Sequence, residues 1–422
     1  MRVVIAGINS QYIHSSLAPW YLKAVCKDCP CDVIVREYTI NDRIDSILYG
    51  IYCEKPDVLA VSCYIWNIEY VYKIVRTVKK VLPKLVIILG GPEVSYDSES
   101  LMEEYEEVDF IISGEGEISF KRLIKFLTGK NNSKSEDNLV RIENQSGSKN
   151  NSDNEDESKE LWDVPNLTWR HRGKIILNKT EAPIINLDSI PSPYSDEMIA
   201  QTEGKIIYYE SSRGCPFSCS YCLSSIDKGV RYFSMDRVRK DLMKLINAGV
   251  RQVKFVDRTF NCNKARAAEI IKFIIENSRT TSFHFEAAAD LFDEEMINLL
   301  AAIPEGLIQL EIGVQTTNEK TLMLINRKTS LDKLFENVRK IREKGNIHIH
   351  LDLIAGLPDE NMESFKKSFN SVYSAKPHNL QLGFLKMLKG SKIREDAEKY
   401  GYSYRHYPPY EVLSNEEISF DE

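Results

Sequence analysis

The chain has little that would place it in a membrane or outside the cell. No apolar run reaches the roughly 18 residues that a bilayer span requires. The first residues, Met1-Arg2-Val3-Val4-Ile5-Ala6-Gly7, read as a short buried strand without a signal-peptide cleavage pattern. Positive charge is in deficit: 55 Lys and Arg against 62 Asp and Glu give a net charge of −7, so no broad nucleic-acid-binding face is expected. Phosphate loops of the G-x-x-x-x-G-K-[ST] type, H-E-x-x-H zinc helices and nucleophile elbows are missing. The 4 tryptophans and 7 histidines form no cluster along the chain. Nine cysteines in 422 residues are too sparse for a disulfide framework and fit reduced thiols in the cytoplasm. Hydrophobic content of 43% and charged content of 28% are globular values, and the length suits two domains better than one core.

Three of the cysteines stand together. The run Arg213-Gly214-Cys215-Pro216-Phe217-Ser218-Cys219-Ser220-Tyr221-Cys222 spaces them by three residues and then two, on one short loop after a strand. Zinc usually takes a closed set of four ligands, and no matching pair lies nearby. Thiolates are also the ligands of iron–sulfur clusters. Three of them can grip a cubane and leave its fourth iron open to a small molecule. With Tyr221 just before the last cysteine, this C-x3-C-x2-C loop resembles that of the radical S-adenosylmethionine (SAM) enzymes. The resemblance implies that Cys215, Cys219 and Cys222 hold a [4Fe-4S] cluster, with Tyr221 among the SAM contacts. In that family the open iron chelates the amino and carboxylate groups of SAM. One electron, supplied here by a donor of the flavodoxin or ferredoxin type, then cleaves SAM to a 5′-deoxyadenosyl radical.

Residues 1–129 alternate strand and helix. Val3 to Ala6, Val33 to Val35, Val58 to Val61, Leu85 to Leu89 and Val108 to Ile112 are short, β-rich apolar runs. Amphipathic stretches such as Ile68 to Leu82 separate them. This alternation predicts a doubly wound parallel sheet, Rossmann-like, whose ligands bind at the carboxyl ends of the strands. Those ends carry Gly7 to Ser16, Val61 to Asn67, Gly90-Gly91-Pro92-Glu93 and Ser113-Gly114-Glu115-Gly116-Glu117. Any one of these reads as an ordinary tight turn. Four at one sheet edge, ahead of a radical SAM loop, resemble the cobalamin-binding domain of cobalamin-dependent radical SAM proteins. Ser62 and the Gly90-Gly91 pair match that domain's serine and double-glycine motifs in position. The resemblance implies cobalamin contacts at His14, Ser62, Gly90, Gly91, Gly114, Glu115 and Gly116. Cobalamin domains of the methionine-synthase type carry Asp-x-His-x-x-Gly after the first strand. Here His14 stands without that aspartate or glycine, so the expectation is cobalt with no protein imidazole ligand.

Residues 130–160 are rich in Asn, Ser, Glu, Asp and Lys and are expected to be a disordered insert. Over 161–200 a β-hairpin turning at Arg172-Gly173 is expected, then a proline-stiffened linker through Asn186 to Tyr194. From 201 to 400 a second series offers six strand candidates. They are Ile206 to Tyr209, Gln252 to Val256, Ser282 to Glu286, Ile308 to Val314, Ile347 to Ile354 and Asn379 to Leu385. Six βα units make a partial (β/α)6 barrel, the architecture that radical SAM enzymes share. Chemistry in βα barrels gathers at the C-terminal strand ends. Residues 401–422 remain as a tail. Related proteins often continue with a region that encloses substrate, so that wall is expected to be open or supplied by a partner.

SAM needs acceptors for its amino group and ribose hydroxyls and an apolar wall for adenine. The strand ends offer Asp257, Glu286 and Gln315 for the former and Ile354 and Gly356 for the latter. The other six cysteines, Cys26, Cys29, Cys31, Cys53, Cys63 and Cys262, are expected to be free thiols. Methylthiotransferases place a second cluster on three cysteines of their N-terminal domain, the first in the loop after strand one. This chain has Asn9 and Ser10 there. The leading expectation is a cobalamin-dependent radical SAM enzyme, most simply one moving a methyl group to an unactivated carbon of a small molecule or peptide. The alternatives are a methylthiotransferase-like enzyme and a non-catalytic module that senses cobalamin and redox state.

Overall fold

The computed structural model describes residues 1–133, 160–226 and 229–422. The insert expected over 130–160 lies, apart from its ends, outside the described residues. The chain divides into two units, Met1–Ile185 with Ser189–Met198, and Asn186–Asp188 with Ile199–Glu422. No helix among the described residues is long and apolar enough to cross a membrane.

The first unit is built on β1 (Arg2–Asn9), which is buried along all but its first residue. A strand buried on both faces reads as a continuous apolar run, which is how Val3 to Ala6 reads. Around it lie α1 (Ala18–Val25), β2 (Asp32–Thr39), α2 (Ile44–Cys53), β3 (Val58–Ser62), α3 (Ile68–Val81), β4 (Val86–Gly90), α4 (Ser98–Glu104), β5 (Phe110–Ile112) and α5 (Glu117–Ser133). The seven-stranded sheet runs β2-β1-β3-β4-β5-β6-β7. Neighbours from β2 to β5 are parallel. Val4, Ala6, Ile8, Leu59, Val61, Ile87 and Leu89 pack against Ile47 and Ile51 of α2, Val71, Ile74 and Val78 of α3, and Leu101 of α4. Residues alternate faces along a strand, so Val3 and Ile5 are left for the other side.

The hairpin read from the sequence joins this sheet. β6 (Leu167–His171) pairs antiparallel with β5, and β7 (Lys174–Leu177) pairs with β6. Arg172 and Gly173 both have left-handed φ, 50° and 74°, the geometry of a two-residue hairpin whose twist matches its strands.

The second unit opens with α6 (Asp196–Gln201), whose first residues belong to the first unit, and β8 (Ile206–Tyr209). A short hairpin of β9 (Ser212–Cys215) and β10 (Gly229–Tyr232) comes next, then α7 (Met235–Asn247), β11 (Gln252–Phe255), α8 (Lys264–Asn277), β12 (Ser282–Glu286) and α9 (Glu294–Ala301). The series closes with β13 (Ile308–Gln315), α10 (Glu319–Leu324), α11 (Leu331–Lys344), β14 (His348–Ala355), α12 (Met362–Ser374) and β15 (Asn379–Phe384). Six strands line up in chain order, β15-β14-β13-β12-β11-β8, and every neighbouring pair is parallel. No ladder joins β8 to β15 among the described residues, so the arc is open. Side chains at N-caps set where several helices begin: Ser234 accepts from Arg237 N–H, Asn263 from Arg266 N–H and Asp293 from Met296 N–H. After β15 come α13 (Lys392–Glu395) and an antiparallel pair, β16 (Ser403–Tyr404) with β17 (Val412–Ser414).

Candidate functional site

In the second unit the cysteine loop leaves the β9–β10 hairpin. Sequence reading missed these two strands, which have too few residues to show periodicity. Cys215 ends β9 opposite Gly229. Gly214 has φ 93°, and a Cβ on it would overlap the Gly229 carbonyl oxygen, so the chains cross there only because position 214 has no side chain. Asp257, expected as a SAM contact, is 2% exposed. It accepts from Ser211 N–H (2.9 Å), Ser211 Oγ (2.6 Å) and Ser212 Oγ (2.5 Å). Burial pushes its carboxyl upward, and the serine bonds oppose that. Asp257 thus braces the strand that leads into the cysteine loop. Beside it, Arg213 and Glu210 pair through Nε–Oε2 (3.2 Å) and Nη2–Oε1 (2.7 Å).

The loop is held on its far side as well. Ser220 N–H donates to Ile325 O (2.9 Å), and Ser220 O accepts from Ile393 N–H (3.0 Å). Asn326 Nδ2 donates to Ser218 O (3.0 Å) and Oγ (2.6 Å). Arg327, which sequence reasoning missed, is the central group. Its Nη1 donates to Tyr221 OH (3.2 Å) and approaches Cys219 Sγ (3.9 Å), while Nη2 donates to Gly313 O. Its Nε is buried and has no partner among the described residues. Burial pushes the Cys219 thiol up, and the Arg327 charge pulls against it. Among the described residues no carboxylate pairs with this guanidinium, whose contacts are the Tyr221 hydroxyl, the Cys219 sulfur and the Gly313 carbonyl.

Among the described residues no three His, Cys, Asp or Glu side chains converge as they would on a single ion.

The barrel face beyond the loop is charged. Glu286 pairs in register with Glu311, and Gly313 with Asp352. Lys254 Nζ and His284 Nε2 both meet Glu311 Oε2, at 2.9 and 3.0 Å. These contacts, the His284 bond foremost, hold Glu311 down at about 2. Burial, with repulsion from Glu311 and Glu286, raises Asp352 to about 7, and its Oδ1 is buried without a partner among the described residues. Glu286 is also pushed up by burial, with Arg258 opposing. Gln315 ends β13 with φ 71°, where the ladder to β14 shifts register. A side chain held at positive φ at a strand end is a strained position of the kind found at ligand sites. Ile354 is half-buried two residues beyond Asp352 on the same face. Gly356 has φ 86°, and its carbonyl already accepts from Tyr402 OH and Asn415 Nδ2.

In the first unit the four expected loops share the C-terminal edge of the parallel strands. Asn9 is buried; its Nδ2 donates to His14 O (2.9 Å) and Glu37 Oε2 (3.0 Å). The backbone of His14 is thereby tied to the end of β1. Asn67 Nδ2 donates to both Ile8 O (3.0 Å) and Ser62 O (2.9 Å), joining the ends of β1 and β3. Ser62 Oγ is buried with no partner among the described residues. Gly91 has φ 117°, and a Cβ there would overlap Cys63 O; Cys63 N–H in turn donates to Gly90 O (2.7 Å). Gly114 has φ 69° and open space around it, and Gly116 would meet only ordinary contacts. Glu115 Oε2 accepts from Ile184 N–H (2.9 Å). Tyr12, Ile13, Trp66 and Tyr96 of these loops are exposed. An orphaned hydroxyl, side-chain-free backbone and exposed apolar groups on one edge fit a large, flat, partly apolar cofactor such as cobalamin.

Cys26, Cys29 and Cys31 lie between α1 and β2, and Cys53 ends α2 before β3. These are the opposite, N-terminal ends of the strands. No thiol from this set faces the loop after β1, where a second cluster would begin.

Comparison with known proteins agrees with this division. The description "Radical SAM superfamily" matches residues 209–372, "B12 binding domain" matches 3–124, and "Protein of unknown function (DUF4080)" matches 398–422. An uncharacterised methyltransferase of Pyrococcus horikoshii is 25% identical over 73% of this chain and 62% of its own length. The cobalamin-dependent radical SAM methyltransferase TokK of Streptomyces tokunonensis is 27% identical over 82% of this chain and 50% of its own. The chain thus spans between half and about three fifths of these relatives. Among solved structures, the radical SAM methyltransferase TsrM from Kitasatospora setae superposes with a TM-score of 0.71 at 17% identity, covering 98% of this chain and 80% of that one. The two matched domains bring with them a [4Fe-4S] cluster, SAM and cobalamin as cofactors.

Proposed function

Because the chain belongs to the cobalamin-binding-domain-containing radical SAM family, we propose that it is a cobalamin-dependent radical SAM enzyme that transfers a methyl group to an unactivated carbon. The observation that supports the reading is the cysteine loop with the Arg327 guanidinium held against Cys219 and Tyr221. Cys215, Cys219 and Cys222 hold the cluster through three thiolates. Arg327 sets a buried positive charge beside Cys219 and Tyr221, where it offsets thiolate charge and attracts the carboxylate of SAM. Asp257 and the Glu210–Arg213 pair keep the strand into this loop from moving. Glu286 and Gln315 offer acceptors to the ribose and amino groups of SAM, and Ile354 offers an apolar surface to adenine.

In the first unit, Ser62 would help to hold cobalamin, which would give its buried Oγ a partner. Gly91 lets the turn after β4 pass close to the Cys63 backbone, and Gly114 leaves open space after β5. When bound, the cluster and SAM supply one-electron cleavage, and cobalamin supplies a carrier for the methyl group. The substrate is a small molecule or peptide, and a flavodoxin- or ferredoxin-type protein delivers the electron.

The test is anaerobic reconstitution followed by gel filtration and metal analysis. About four irons per chain with near-stoichiometric cobalt are expected, and 5′-deoxyadenosine should appear when SAM and a reductant are added. Cys219→Ser should lose iron and keep cobalt. Protein that holds its iron yet retains no cobalt would leave a radical SAM enzyme of another reaction.

A further inference from the structure

Residues 398–422 match a description with no assigned function, and their contacts converge on two places. One is the turn after β14. Tyr402 OH donates to Gly356 O (2.9 Å), and Asn415 Nδ2 donates to Gly356 O (3.3 Å) and Leu357 O (3.4 Å). Val412 lies beneath the same turn, with its Cγ1 3.5 Å from where a Gly356 Cβ would stand. Burial pushes the Tyr402 hydroxyl upward, so it stays protonated and remains a donor.

The other is α13, which touches the cysteine loop. Arg394 stacks over Tyr404 and Tyr410, at 5.6 and 4.8 Å from the ring centroids, and its Nη1 donates to Met387 O (2.8 Å). Met387 N–H donates to Tyr410 O (2.9 Å), and Ile393 N–H donates to Ser220 O (3.0 Å) between Cys219 and Cys222.

We propose that residues 402–415 are a brace that fixes the Gly356–Leu357 turn relative to the cysteine loop, with Tyr402 and Asn415 as positioning residues for SAM. The inference rests on the reading that this loop carries the cluster and that the end of β14 faces SAM. Two donors on one glycine carbonyl orient a peptide plane that its own left-handed φ leaves easy to turn. A segment that served only to cover the sheet edge would need the apolar contacts of Val412 and Tyr410, and it would not need those donors. Through Arg394 and Ile393 the same segment limits movement of Ser220, so the two sides of the SAM site keep one spacing.

The test is equilibrium dialysis of SAM against reconstituted full-length protein, with iron content and the urea midpoint measured in parallel. Tyr402→Phe removes one donor. Asn415→Asp removes the other while keeping the acceptor that serves the Glu417 and Ile418 N–H groups. The double variant should bind SAM about tenfold more weakly, the effect of one or two modest hydrogen bonds, with iron unchanged and the midpoint lowered only by what the lost hydrogen bonds account for. If Gln315→Ala weakens SAM binding and the double variant does not, the brace is refuted while the cofactor reading stands. Loss of affinity that comes only with loss of iron and a lower midpoint would reduce the segment to scaffolding and also refute it. An iron-loaded wild type that binds no SAM would overturn both.

Discussion

Arg327 donates to the hydroxyl of Tyr221 at 3.2 Å across 106 positions of sequence. That contact, with the bond from the same guanidinium to Gly313 O, ties the cysteine loop to the end of β13. Replacing Arg327 with Met would leave a buried carbonyl and a buried phenol without their donor. The cost should be about 2–4 kcal/mol of stability, read as a lower urea midpoint of the apoprotein, and reconstituted iron should fall with it. Arg327→Lys keeps the charge and loses the fork, so it should recover part of both. A Met variant with wild-type midpoint and iron would deny Arg327 this role.

Asp352 gives the barrel a pH dependence whose sign is set by its neighbours. It faces Glu311 and Glu286, with Lys254 and Arg327 opposing, and burial is the largest cause of its rise to about 7. The folded state therefore holds this proton more tightly than the unfolded chain does. The stabilisation is full below pH 4 and is lost as pH climbs through about 7. Three pH units correspond to about 4 kcal/mol at most, and partial solvent screening reduces that to about 2 kcal/mol. Urea midpoints of wild type and Asp352→Asn should therefore differ in favour of the variant at pH 8 and converge or reverse at pH 4.5. A difference independent of pH would show that the carboxyl titrates normally.

Much of this was legible in the sequence because the signals were local. The cysteine spacing lies within eight residues of one loop, and the six barrel strands show as apolar runs within about a residue of where they form. The carboxyl-end loops of the first sheet followed from parallel topology alone. What escaped was tertiary. Nothing near Arg327 points to cysteines 105–112 positions earlier in the chain. Asp257 reads as a ligand-facing carboxylate until Ser211 and Ser212 are seen to use both its oxygens. Gly90-Gly91 reads as room for a ligand, yet Gly91 is a glycine first because it crosses the backbone of Cys63. The β9–β10 pair and the contacts of residues 402–415 depend on partners that no periodicity reveals.

The two glycine turns of the first sheet should respond differently to a methyl group. Gly91→Ala places a Cβ against Cys63 O at φ 117°. It should cost about 3 kcal/mol and displace the β3 and β4 loops together. Gly114→Ala meets open space at φ 69° and should cost only the left-handed preference, about 1 kcal/mol. Thermal midpoints of the two apoproteins give the comparison, and equal losses would contradict the close approach at Gly91.

Ser62 makes the sharpest claim on cobalamin, because stability and binding should move in opposite directions. Its Oγ is buried at the end of β3 with no hydrogen-bond partner among the described residues, so the apoprotein bears an uncompensated desolvation. Ser62→Ala removes that polar atom and should leave the apoprotein as stable as wild type or about 1 kcal/mol more stable. If the hydroxyl is kept for a cofactor, the same change should lower cobalt retained after gel filtration several-fold. A hydroxyl that merely helped the fold would show the reverse pattern, with a lower apoprotein midpoint and unchanged cobalt. Measuring both quantities on the one variant therefore separates a ligand contact from a packing role without knowing the substrate.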